Sequence, residues 1–152
     1  MNDVNFLENC ITIKWRNNLS FATKNRSTIS IMDNEIKKGA PDSSEMEKSK
    51  SHIIVEIIEY MTNSVVIKTI IKKSTGNISV MSFDSGEGLT EKTSPFDTFA
   101  QIIEGKAEIV INNVSHFLTS GEGIIIPAHL PNFIKPNGRF KMISTVIKSG
   151  YE

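Results

Sequence analysis

From Ser64 to Lys148 the chain is a succession of short runs of alternating apolar and polar residues, each closed by a turn rich in Gly, Asn or Pro. The runs fall at 64–72, 77–84, 96–103, 107–112, 114–118, 123–127, 132–135 and 140–148. Between them sit Ser-Thr-Gly-Asn at 74–77, Ser-Gly-Glu-Gly at 85–88 and again at 120–123, Glu-Gly-Lys at 104–106, the pair Asn112 and Asn113, and Pro-Asn-Gly at 136–138. Strands of this length, broken at roughly 8–12-residue spacing, predict an all-β sandwich or barrel. The Asn pair is a two-residue hairpin signal, because Asn tolerates a positive φ. In 107–112 the residues Ala107, Ile109 and Ile111 share one face, and Glu108, Val110 and Asn112 share the other. A wall that is apolar inside and mixed outside fits a small barrel.

The upstream part has another texture. Residues 1–50 are rich in Asn, Ser, Thr and Lys, and their apolar residues are scattered. Segments 11–15 and 28–32 have the alternation of short strands. Residues 39–51 are polar, charged and breaker-rich and read as a linker. Residues 1–50 are therefore expected to form a polar, weakly ordered extension, and 51–152 the barrel domain. Trp15 is the residue that argues most for burial upstream. Residues 52–60 carry Ile53, Ile54, Ile57 and Ile58 at the spacing of one or two helical turns, so a short helix is expected before the barrel.

Composition narrows function by exclusion. The 152 residues hold 17 Lys+Arg and 17 Asp+Glu, a formal net charge of zero. A counterion-driven nucleic-acid binder would show a basic surplus, so no nucleic-acid partner is expected. A single cysteine, Cys10, excludes an internal disulfide framework and a zinc ribbon, and three histidines (His52, His116 and His129) offer few nitrogen ligands. No apolar stretch approaches the ~18 residues of a membrane helix, so no membrane partner is expected. The start of the chain carries Asp3 and Glu8 and no basic segment followed by an apolar run, which does not read as a secretory signal. A cytoplasmic protein with Cys10 as a free thiol is the expectation.

The glycine spacing carries a resemblance. Gly86 and Gly105 bracket EGLTEKTSPFDTFAQIIE, and Gly121 opens GEGIIIPAHLPNFIKP. With Glu122, Pro127, Ala128 and Pro131, this texture resembles the cupin superfamily over residues 53–148, in particular its small single-domain conserved-barrel (cupin type-2) members. The resemblance implies an all-β fold, a cupin-type double-stranded β-helix or jelly-roll barrel. It implies a first motif, G-x5-H-x-H-x3-E-x6-G, and a second, G-x5-P-x-G-x2-H-x3-N, whose His and Glu residues bind one metal ion in many members. By spacing, the ligand positions of the first motif fall on Lys92, Ser94 and Thr98, and Gly105 closes it. In the second, Gly121 and Pro127 match, the later Gly falls on His129, the His on Asn132 and the final Asn on Pro136. All four ligand positions are altered. An ammonium has no lone pair and repels a cation, and the neutral oxygens of Ser94, Thr98 and Asn132 are weak ligands for a transition metal. The expectation is a degenerate metal site with no metal and no cofactor.

Each candidate residue has a functional and a plainer reading. Lys92, with Glu91 and Asp97 nearby in sequence, is either a cationic anchor for an anionic ligand at the barrel mouth or a solvated lysine paired with a neighbour. Ser94, Thr98 and Asn132 either hydrogen-bond a small polar ligand or line a vestigial site filled by water. His129 is either a lone general acid/base near the opening or a rim residue. The candidate pocket is thus Lys92, Ser94, Asp97, Thr98, His129 and Asn132, with no residue assigned a catalytic role. It belongs to a small-molecule-binding or accessory and regulatory module whose ligand is small and polar or anionic. The alternative is a small-molecule enzyme of isomerase, lyase or dioxygenase type that uses Lys92, Asp97, Asn132 and His129 in an altered site. A third reading is a barrel retained for dimerisation alone. The resemblance implies a homodimer, which would cover exposed barrel strands.

Overall fold

The computed structural model describes residues 45–148 and the backbone of Ile11–Ile13. Ten strands account for most of it: β1 (Ile11–Ile13), β2 (Val65–Lys73), β3 (Gly76–Phe83), β4 (Leu89–Thr93), β5 (Thr98–Glu104), β6 (Lys106–Ile111), β7 (Val114–Thr119), β8 (Gly123–Ile126), β9 (Pro131–Ile134) and β10 (Phe140–Ile147). They form a six-stranded sheet in the order β1-β2-β3-β10-β5-β8 and a four-stranded sheet in the order β4-β9-β6-β7. Every pairing is antiparallel. After β3 the chain passes from sheet to sheet, pausing only at the β6–β7 hairpin, so both walls of a jelly roll are built from alternating stretches of sequence.

Each of the eight runs expected to be strands coincides with one to within two residues at either end. The β6–β7 hairpin turns on Asn112 and Asn113 at φ of 47° and 65°, the left-handed conformation that a two-residue turn demands. Gly105 joins β5 to β6 at φ 80°, and a Cβ there would sit 2.5 Å from the Arg139 carbonyl oxygen, so only glycine closes this corner. Strand β1 lies within the 11–15 segment and pairs with β2 through Ile11↔Ile67 and Ile13↔Val65. The 28–32 segment falls outside the described residues. Among the described residues no helix is long and apolar enough to cross a membrane.

Period-2 alternation fills the space between the sheets. Val65, Phe83, Ala100, Ile102, Ile126, Phe140 and Met142 from one sheet meet Ala107, Ile109, Ile111 and Ile134 from the other, all buried. Phe83 and Phe140 face each other across β3 and β10 and stack with ring centroids 4.2 Å apart. Such an aromatic pair adds about 1 kcal/mol to its area burial.

A second apolar layer lies outside the six-stranded sheet. Residues 53–61 cross its outer face, and Ile58 packs with Val66 and Val80, flanked by Ile54, Ile57, Met61, Ile70, Ile103 and Ile143. The short helix expected here is a single 3-10 turn, Ile54–Glu56. The reason lies in where its carbonyls go. Lys141 Nζ donates to the Val55 carbonyl at 2.7 Å, Ser82 Oγ to that of Glu59 at 2.7 Å, and Lys68 Nζ to that of Ile57 at 3.3 Å. Carbonyls satisfied by the sheet need no partner four residues on, so the segment runs as a strap and not as a helix.

Strand β4 is absent from the expected set. Its sequence, Leu-Thr-Glu-Lys-Thr, has one apolar residue, and four of its five residues are exposed. It lies at the edge of the four-stranded sheet and is held by backbone pairing to β9, so it carries no apolar alternation to read.

Candidate functional site

Towards one end of the barrel the inward faces of four strands change from apolar to polar. Along β5 the inward residue passes from Ala100 to Thr98, along β9 from Ile134 to Asn132, and along β10 from Met142 to Ser144. Each step is two residues, the repeat of one strand face. Along β4 it passes from Leu89 to Lys92, a step of three. The pairing of β4 with β9 shifts between these residues: Leu89 opposes Ile134, whereas Lys92 opposes Asn132. In an unbroken register Glu91 would oppose Asn132 and Lys92 would point away. The extra residue in β4 therefore sets Lys92, in place of Glu91, opposite Asn132.

These side chains converge on one cavity of about 30 Å³. Its floor includes Met81, Leu89, Ile134 and Met142, and its polar end Lys92, Ser94, Thr98, Asn132 and Ser144. That volume accommodates about two water molecules. Among the described residues Lys92 is the sole charged group lining it. A second, more open groove of about 350 Å³ runs beside the β4 edge, from Gly86 to Thr90 and from Phe133 to Pro136, and shares Leu89, Phe133 and Ile134 with the cavity wall.

Hydrogen bonding separates residues that hold the site together from residues left available. Ser94 Oγ accepts the Phe96 N–H at 3.0 Å and lies 3.0 Å from the Phe96 carbonyl, so this hydroxyl organises its own turn. Asn132 is 4% exposed, and its Nδ2 donates to the Leu130 carbonyl at 3.1 Å. Its Oδ1 accepts no hydrogen bond among the described residues. Ser144 is 8% exposed, and neither its hydroxyl nor that of Thr98 has a partner among the described residues. The Lys92 ammonium forms no ion pair among the described residues.

Asp97 and His129, read with this pocket from the sequence, do not line the cavity. The Asp97 carboxylate accepts the Ala128 N–H at 2.7 Å and its carbonyl the Ile147 N–H at 3.2 Å, which ties the β8–β9 loop and the end of β10 to the start of β5. His129 is exposed at φ 65° on a tight turn, and its backbone N–H donates to the Ser94 carbonyl at 2.7 Å. Ser144 lines the cavity without having been singled out from the sequence. The signal was there: in 140–144, Phe140, Met142 and Ser144 share the inward face, so a serine follows two core residues.

The four positions that the cupin motifs assign to metal ligands do share one cavity, and their chemistry does not suit a transition metal. One is an ammonium, one is a hydroxyl engaged with its own turn, and two are neutral oxygens. No cluster of three or more His, Cys, Asp or Glu residues occurs among the described residues. What the arrangement supplies is a positive charge at a polar end and an apolar floor beneath it.

No family model and no curated protein matches the sequence. Solved structures do. The chain is similar to a conserved protein of unknown function from Streptococcus pyogenes, with 25% identity, 68% of this chain and 90% of that one covered, and a TM-score of 0.65. It is similar to a cupin superfamily protein from Desulfitobacterium hafniense DCB-2 at 26% identity, with 68% and 94% covered and a TM-score of 0.62. It is also similar to a cupin 2 conserved barrel domain protein from Leptotrichia buccalis at 25% identity, with 62% and 46% covered and a TM-score of 0.60. With its two-sheet jelly roll, its Gly105 corner and these neighbours, the chain is a cupin-type β-barrel protein.

Proposed function

We propose that this cupin-type protein binds a small molecule inside its barrel without a metal ion, as a binding or accessory module. The observation that carries the reading is the convergence of Lys92, Thr98, Asn132 and Ser144, from four strands, on one cavity in which their polar atoms keep free valences. Buried polar groups are ordinarily paired, so a cluster with spare capacity facing a cavity is built to receive a ligand or water. An enzymatic use has less to draw on, since no Asp, Glu or His lines the cavity among the described residues. A thermal-shift screen of sugars, organic acids and nucleotides on the full chain tests the reading. A compound that raises the midpoint in wild-type protein but not in Asn132→Leu supports it, and no shift with any compound counts against it. Metal analysis of protein purified without a histidine tag is the second check. Stoichiometric Fe, Mn, Ni or Zn would overturn the metal-free part.

A second copy of this chain is the proposed partner. Phe99 on β5 and Ile125 on β8 stand opposite each other on the outer face, 40% and 64% exposed, where a neighbouring copy would cover them. Light scattering on the full chain should give twice the monomer mass, and a monomer mass would remove the proposal.

A further inference from the structure

Resting on that reading of the cavity, we propose that its ligand is a short-chain monocarboxylate, held by its carboxylate at Lys92 with its alkyl end on the methionine floor. Charge, shape and donor inventory each point there. Among the described residues Lys92 is the one charged residue at the wall and forms no ion pair, so a single negative charge suits this end of the cavity. Around it the Thr98 and Ser144 hydroxyls and the remaining Asn132 N–H are donors that a carboxylate's two oxygens can accept from together.

Below this polar end the walls are Met81, Met142, Leu89 and Ile134, which offer an alkyl group contact and a polar group nothing. A phosphate dianion would find one lysine and no arginine fork at the wall. A sugar would place several hydroxyls against the methionine and isoleucine side chains, where they would go unpaired. Volume keeps the ligand at the small end of that class: about 30 Å³, the space of about two water molecules, leaves room for little beyond the carboxylate and one methyl group. The hydroxyl of Ser144 has no partner among the described residues and so remains a donor for that carboxylate.

Acetate, acetamide and acetamidinium have nearly the same shape and carry negative, zero and positive charge, so they isolate the sign. They are titrated into the full chain in acetate-free buffer while NMR follows the backbone amides of Lys92, Thr98 and Ser144 and the side-chain amide of Asn132. Acetate should move these signals saturably. Acetamide and acetamidinium should bind at least about tenfold more weakly. Lys92→Met, a change at an exposed position, should weaken acetate about tenfold or more and leave acetamide unchanged. Ser144→Ala should weaken acetate less. Acetamide binding as tightly as acetate, or Lys92→Met leaving acetate unaffected, overturns the carboxylate assignment while the cavity still binds. If the same signals respond only to a compound of another class from the screen, the assignment falls and the binding module stands. If no compound moves them, both fall.

Discussion

Two polar clusters sit at opposite sides of the same six-stranded sheet, and they differ in whether their charges are closed. Outside, where the strap crosses, Tyr60 donates to Glu104 at 2.6 Å, and Lys141 donates to the Val55 carbonyl while its ammonium lies 3.7 Å from Glu104 and 4.8 Å from the Tyr60 ring centre. Arg139 pairs with Asp84 at 2.6 Å, and Asp84 also accepts the Asn63 N–H at 2.7 Å. Burial, then the Glu104 carboxylate, pushes the Tyr60 hydroxyl well above its ordinary value. Every charge named there has a partner. At the cavity wall, Lys92 has none among the described residues, and the hydroxyls of Thr98 and Ser144 have none there either. A closed cluster holds a segment in place; an open one leaves polar groups available.

That contrast is broken most forcefully at Lys141. Its side chain is 7% exposed, so Lys141→Ala leaves the Val55 carbonyl without its donor and opens a gap under the strap. The expected loss is about 3 kcal/mol in urea denaturation. A loss below about 0.5 kcal/mol, the range of ordinary surface changes, would show that the outer cluster is ornamental.

Asp84 comes next and adds a pH signature. The Arg139 bond first, then the backbone N–H bonds of Asn63 and Ser85, hold its carboxyl below the ordinary value of 3.8. A depressed carboxyl contributes stability that is present above its unfolded value and lost as pH falls through its lower folded value. Asp84→Asn should therefore unfold earlier than wild type at pH 6, and the gap should narrow below about pH 4. A gap constant down to pH 2 would contradict the pairing.

Tyr60→Phe removes one hydrogen bond and keeps the ring beside Arg139 and Lys141, so about 1 kcal/mol is expected. The smallest effects belong to the inner cluster. Lys92→Met and Ser144→Ala delete groups without a bonding partner among the described residues, so calorimetry should find both within about 0.5 kcal/mol of wild type, with Ser144→Ala on the stable side of zero. Should either destabilise the protein as strongly as Lys141→Ala, the inner cluster is structural after all and the ligand reading loses its basis.

Much of this was legible before any fold was in hand. The eight β-runs, the Asn112–Asn113 hairpin and the inward set Ala107, Ile109 and Ile111 follow from period-2 alternation and turn chemistry, which are local properties of the chain. Lys92, Ser94, Thr98 and Asn132 were reached through glycine spacing, and they do share one cavity. What stayed hidden depends on partners far away in sequence. Strand β4 is an edge strand defined by the backbone of β9, so its own residues carry no trace of it. The strap looked like a helix because its isoleucines have helical spacing, yet Lys141, Ser82 and Lys68 claim its carbonyls from the sheet.

Asp97 and His129 looked like pocket residues because they are near the motif in sequence; neither lines the cavity, Asp97 binds the Ala128 N–H of the β8–β9 loop, and His129 sits exposed on a turn. Above all, strand alternation alone places Glu91 beside Lys92 without saying which one lines the cavity. Glycine spacing singled out Lys92, and one irregularity in the pairing of β4 with β9 is what brings it there. Alternation and spacing act along the chain, so they already specified a β-barrel with an altered polar end. How β4 brings Lys92 to that end came only with the fold, since register is a property of two strands and never of one.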